Sequence, residues 1–165
     1  MPLESGFQRR SRKSLADFEQ SFTNWLRDRT DPQREAVRGY VAIAMQTMDG
    51  VQAVYDRRED ELNRADTLAT NTRLEMKRRN VDDAKTLRTQ LQGAAEPTTV
   101  QAVHQQFLVF MDRLIEWLQL ELDWLDQGND AKRVAAYAMI PEINARDFGV
   151  SRDLADIQYQ YQVTP

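Results

Sequence analysis

Residues 99–127 read TVQAVHQQFLVFMDRLIEWLQLELDWLDQ, the most apolar long stretch of the 165-residue chain. Glu96-Pro97 precedes this stretch, a capping box runs from Thr98 to Gln101, and Gly128 follows, so the spacing predicts one helix. On a helical wheel its large apolar side chains fill an arc of roughly 200°, whereas a surface helix needs only about 100°. We therefore expect this helix to be packed from two sides.

Helical spacing marks four further segments, with predicted bounds of 14–30, 32–70, 72–92 and 129–140. Within the second of them, residues 56–66 carry eight charges in eleven positions and offer little to bury beyond Leu62 and Ala65. So polar a run favours a two-helix arm, about 52–92, with a thin apolar seam. The predicted fold class is all-α, a helical bundle with a projecting antiparallel helical hairpin and an extended C-terminal tail.

The tail is predicted from residues 157–163, IQYQYQV, which alternate strictly between apolar and polar. Alternation over seven residues is typical of a half-buried strand, and no second strand is predicted in this chain to pair with it. Strand addition to another molecule would satisfy its backbone. An extended coil packed on its own bundle is the alternative. The predicted interface residues are Ile157, Tyr159, Tyr161 and Val163.

The predicted organisation has three parts. Residues 1–13 form a basic N-terminal arm, 14–140 a helical bundle that includes the hairpin, and 141–165 a linker and tail after a stop at Pro141. No apolar run reaches the roughly 20 residues that span a bilayer, so membrane insertion is not expected. The expected location is the cytoplasm, or a virion-like assembly.

Glu121 is the candidate for a buried charge, because it falls inside the apolar arc of the helix at 99–127. A buried carboxylate must be paired or neutralised. We expect a salt bridge to an arginine, with a functional carboxylate as the alternative. With no Cys and His104 as the only histidine, neither a metal site nor a cofactor is predicted. No residue is predicted to be catalytic.

Basic clusters are the candidates for nucleic-acid contact, because Lys and Arg can track phosphates. The overall charge of −4 counts against stand-alone binding of nucleic acid. The residues concerned are Arg9, Arg10, Arg12, Lys13, Lys77, Arg78 and Arg79.

The sequence contains no motif that identifies a substrate or a reaction. The wide apolar arc of the helix at 99–127 and a tail without a pairing strand favour a non-enzymatic structural or adaptor subunit. Such a subunit would mediate protein–protein assembly, as a homo-oligomer or in a larger complex. The alternatives are a nucleic-acid-associated subunit that uses the Arg-rich clusters, and an enzyme with a buried carboxylate site.

Overall fold

The computed structural model describes residues 15–28 and 32–163, which form five α-helices and one 3₁₀ turn, without a strand. The chain divides into two compact units, Met1–Glu35 and Ala36–Pro165. The first unit contains α1, and the second is a helical bundle, so the predicted all-α class is confirmed. The helices are α1 Leu15–Asp28, α2 Pro32–Asn63, α3 Thr70–Gln92, α4 Gln101–Gln127 and α5 Asp130–Tyr161, and the 3₁₀ turn is Thr98–Val100.

Helix α4 forms the centre of the bundle, because it packs against both α3 and α5. This two-sided contact accounts for its wide apolar arc. Gly128 ends the helix in the left-handed conformation at φ 64°, which glycine adopts without strain. Asn129 then caps α5, its side chain accepting a hydrogen bond from the Ala131 amide at 3.1 Å. The buried residues of α4 are His104, Phe107, Phe110, Met111, Leu114, Trp117, Leu118 and Glu121.

Helices α2 and α3 form an antiparallel hairpin, but the expected projection of this hairpin is not observed. Glu61 and Lys77, close to its turn, are 1% and 3% exposed, and Glu121 of α4 contacts the Lys77 ammonium at 3.4 Å. The hairpin therefore lies against α4 at this level. Projection was expected because a run as highly charged as residues 56–66 would be solvated. Glu61 of this run is instead buried, because it pairs with Arg73 and Lys77 of α3.

Pro141 does not end α5, which continues from Asp130 to Tyr161. The helix loses one backbone hydrogen bond at the proline. Beyond it, apolar side chains recur at a spacing of seven, four and three residues and are buried against the bundle: Ile143, Val150, Leu154 and Ile157. Their burial holds the segment in a helix, so the expected linker after residue 140 is wrong.

The predicted strand at 157–163 is also wrong, because the segment forms the last turns of α5. Ile157 and Tyr159 point in opposite directions in a helix as well, since two residues advance by about 200°. The amides of Gln162 and Val163 donate to the carbonyls of Tyr159 and Gln158 at 3.3 and 3.1 Å, and Gln162 is left-handed at φ 49°. This is a Schellman termination, in which the residue after the turn packs back on the helix. Val163 is accordingly 2% exposed.

Candidate functional site

The outward side of α5 carries large apolar side chains that the bundle does not cover. Val134, Tyr137, Phe148 and Tyr159 are 65%, 54%, 71% and 88% exposed. Because α5 also buries an inward stripe, it is apolar on two sides. We call the outward side, centred on Tyr137, Phe148 and Tyr159, the outer face of α5. Exposed apolar side chains that share one side of a helix make that side a candidate for an interaction site.

The three aromatic residues of the outer face are evenly spaced. Eleven positions separate Tyr137 from Phe148, and eleven separate Phe148 from Tyr159. Eleven residues make three helical turns with a drift of only about 20°, so the three rings follow one line along the helix. At 1.5 Å per residue, neighbouring rings originate about 16 Å apart.

The line carries few charged residues. Within about 60° of it, between Val134 and Tyr159, the charged residues are Arg152 and Asp156. The Arg152 guanidinium is paired with Asp153 at 2.7 Å, and the Arg152 side chain is 62% exposed. The remaining exposed polar or small residues there are neutral: Pro141, Asn144, Ala145, Ser151 and Ala155. Interface cores are depleted of charge and enriched in aromatic residues in the same way.

In the helix, the four predicted interface residues of the tail differ in their exposure to solvent. Ile157 is 7% exposed and Val163 2%, so both belong to the core of this chain. Tyr161 is partly buried against that core. Tyr159 alone is open to a partner. Tyr137 and Phe148 were not predicted, because Pro141 was expected to end the helix, although their spacing from Tyr159 was readable in the sequence.

A second feature is a series of five alternating charges that crosses α2, α3 and α4, with its three central members buried and its two terminal members partly exposed. We call it the charge chain; in order, its members are Arg58, Glu121, Lys77, Glu61 and Arg73. The Arg58 guanidinium donates to both Glu121 oxygens at 2.6–3.0 Å. Lys77 bridges to Glu61 at 2.9 Å, and Arg73 donates to Glu61 at 2.6 Å. Each carboxylate therefore lies between two cations.

Glu121 contacts both of the other helices that the charge chain crosses. Both of its oxygens accept hydrogen bonds from Arg58, and Lys77 adds a contact at 3.4 Å. The Arg58 guanidinium also stacks over the Trp117 ring at 4.4 Å, which shields one side of the ion pair. The contacts of Glu121, itself on α4, therefore connect that helix to α2 through Arg58 and to α3 through Lys77.

A cleft of about 290 Å³ lies beside the charge chain. Tyr55 and Trp117 meet edge to face there, with ring centroids 6.3 Å apart. Burial, and secondarily the negative charge of Asp147, raises the pKa of the Tyr55 phenol, so the hydroxyl stays protonated. The lining residues are Tyr55, Arg58, Glu59, Leu62, Asn63, Trp117, Ile140 and Asn144.

The residues proposed for nucleic-acid contact do not form one surface in the described part of the chain. Lys77 is 3% exposed and belongs to the charge chain, so its expected role at phosphates is wrong. Arg78 is paired with Asp126 of α4 at 3.3 Å, and Arg79 with Asp83 at 3.8 Å. Arg9, Arg10, Arg12 and Lys13 lie outside the described residues.

His104 is a core residue of α4, 3% exposed. Its ring packs edge to face on Tyr40, with centroids 5.7 Å apart, and its Nε2 lies 3.5 Å from the Glu96 carboxylate. Within residues 15–28 and 32–163, no cluster of three or more His, Cys, Asp or Glu could hold a metal ion. None of the described helices is long and apolar enough to cross a membrane.

No protein-family model, no curated protein and no solved structure matches this chain.

Proposed function

We propose that this protein is a non-enzymatic structural or adaptor subunit that binds protein through the outer face of α5. The observation that carries the proposal is the exposure of Tyr137, Phe148 and Tyr159 at 54%, 71% and 88% along one line of α5. An aromatic ring left in water forfeits the stabilisation that burial would provide. Three aligned rings in that state favour a face that is covered in the working assembly.

The chemistry of the face supports a protein partner rather than nucleic acid. Phosphate binding needs a surface rich in Lys and Arg, whereas this line offers one guanidinium, that of Arg152. Aromatic anchors surrounded by small and neutral residues are typical of interaction hot spots between proteins. The buried part of α5 supports the same role, because a helix fixed to the bundle presents its outer side without a large ordering cost.

A charge placed on the outer face tests the proposal. Phe148→Glu puts a carboxylate at the centre of the line, and Val109→Glu makes the same change at a 43% exposed position of α4. The native size of each variant is measured by sedimentation velocity of the purified protein and by size fractionation of extracts of the native host. Circular dichroism verifies that both variants keep the wild-type helix content.

Loss of the wild-type assembly in Phe148→Glu, together with its retention in Val109→Glu, supports the proposal. A Phe148→Glu variant that keeps its wild-type size in both settings contradicts it. A wild-type chain that is monomeric in both settings contradicts it as well.

A further inference from the structure

We infer that the outer face of α5 binds a second copy of this chain in an antiparallel pair, with a two-fold axis at Phe148. This inference rests on the proposed function and names the partner. A two-fold interface requires that a surface be complementary to itself. The outer face meets this condition, because Tyr137 and Tyr159 lie at equal distances on either side of Phe148.

In the antiparallel pair, each aromatic residue meets an aromatic residue. Phe148 faces its own copy at the axis, and Tyr137 of one chain faces Tyr159 of the other, twice over. A helix pair that crosses at a shallow angle, with axes 8–10 Å apart, allows such contacts. From Val134 to Tyr159 the outer face is about 38 Å long, which suffices for three layers of contact.

The charge on the line favours the antiparallel over the parallel orientation. In a parallel pair, each Arg152 lies level with the Arg152 of the other chain. In the antiparallel pair, Arg152 is level with Asn144, whose amide is neutral, and the two guanidinium-bearing positions are separated by about 12 Å along the axis. The helix dipoles also oppose each other in the antiparallel pair, which is the favourable arrangement.

The area available suits a reversible dimer. At 150–250 Å² for a fully buried aromatic side chain, the three rings expose roughly 400 Å² per chain. A standard interface buries about 800 Å² on each partner. The rings therefore supply about half, and the rest must come from Val134, Pro141, Ala155 and the methylenes of Arg152. We expect a dimer that dissociates on dilution, so sedimentation is followed over a concentration series.

Cysteine trapping tests the register directly, because the chain has no Cys of its own. A disulfide needs Cβ atoms roughly 3.5–4.5 Å apart, so it forms only between facing positions. The variants are Tyr137→Cys, Phe148→Cys and Tyr159→Cys, with Val109→Cys as the control for chance collisions. Each is oxidised at a concentration where the wild type is dimeric, and the products are identified by mass spectrometry without reductant.

The expected result is a covalent dimer from Phe148→Cys alone, none from Tyr137→Cys or Tyr159→Cys alone, and a mixed dimer when these two variants are combined. Self-linking of all three single variants would show a parallel pair and overturn the inference. Linking no greater than that of Val109→Cys would show that a second copy is not the occupant. If Phe148→Glu still dissolves an assembly in host extracts, the proposed function then stands without the dimer.

Discussion

Arg58 and Glu121, 63 positions apart in the chain, form a two-pronged ion pair that joins α2 to α4 with contacts of 2.6–3.0 Å. The two side chains are 17% and 8% exposed. Removing such charges from water is costly, and the pair offsets that cost only through close geometry. Here Lys77 and the Trp117 ring complete the environment of the pair. The position of the α2–α3 hairpin on α4 is therefore fixed by ion pairs as well as by apolar contacts.

Neutralising Glu121 should destabilise the bundle strongly. Glu121→Gln keeps the shape of the side chain but leaves Arg58 and Lys77 without their shared anion, and breaking a buried pair costs about 3–5 kcal/mol. Urea unfolding measures the loss. Glu116→Gln on the same helix, whose side chain is 52% exposed, should change the free energy of unfolding by about 0.5 kcal/mol or less. A near-wild-type Glu121→Gln would show that the charge chain contributes little to stability.

Replacing both members of the pair should be tolerated better than replacing one. In the double variant Arg58→Met with Glu121→Leu, no unpaired charge of this pair remains, and apolar replacements of buried ion pairs are often neutral. We expect the double variant to unfold at a higher urea concentration than Glu121→Gln. A lower midpoint would mean that the apolar side chains do not fit the space between α2 and α4.

The last turns of α5 should separate folding from association. Ile157→Ala removes a side chain that is 7% exposed and should cost about 2–5 kcal/mol of unfolding free energy. Tyr159→Ala, two residues on, removes one that is 88% exposed and should leave the unfolding of the monomer nearly unchanged while weakening association. Thermal unfolding at low concentration and sedimentation provide the two measurements. Equal destabilisation by both variants would indicate that Tyr159 is buried in the monomer.

Two glycines of α2 should respond oppositely to alanine. Gly39 has no atom within 4 Å of an added Cβ, so Gly39→Ala should stabilise the helix by about 0.5–1 kcal/mol. At Gly50 an added Cβ would lie 2.5 Å from Cδ2 of Leu87 on α3. Gly50→Ala should therefore lose that gain or destabilise the protein. The same gain at both positions, measured by thermal unfolding, would mean that α2 and α3 are less closely packed than the structure shows.

Glu142 should make stability depend on pH in the acid range. Hydrogen bonds from Arg113 and Arg146 lower the pKa of its carboxyl from an ordinary value of 4.5 to about 2. A carboxylate with a lowered pKa stabilises the fold above pH 4.5, and the contribution is lost as the pH falls toward 2. Glu142→Gln should therefore be less stable than the wild type at pH 7, with the difference shrinking between pH 4.5 and 2. The exposed Glu75→Gln on α3 is the control, and a difference independent of pH would contradict the assignment.

Three features of α4 were sufficient to predict an all-α fold around it. They are its apolar arc, the proline before the helix and the glycine after it. These features act locally, since a capping box, a proline or a glycine limits the backbone over only a few residues. The same local rules were misleading at Pro141 and at 157–163. There, the burial of Ile143, Val150 and Ile157 against the bundle outweighs both the proline and the alternating pattern.

What the sequence by itself determined, then, is the class of fold, the central helix and the position of Glu121 within an apolar arc. The tertiary structure decided which charges are buried, because pairing of Arg58, Lys77 and Glu121 depends on helices brought together from distant parts of the chain. It also decided which aromatic residues of α5 face outward. An amphipathic pattern shows that a helix has an apolar face to bury, but only the packing of the other helices shows which face remains uncovered.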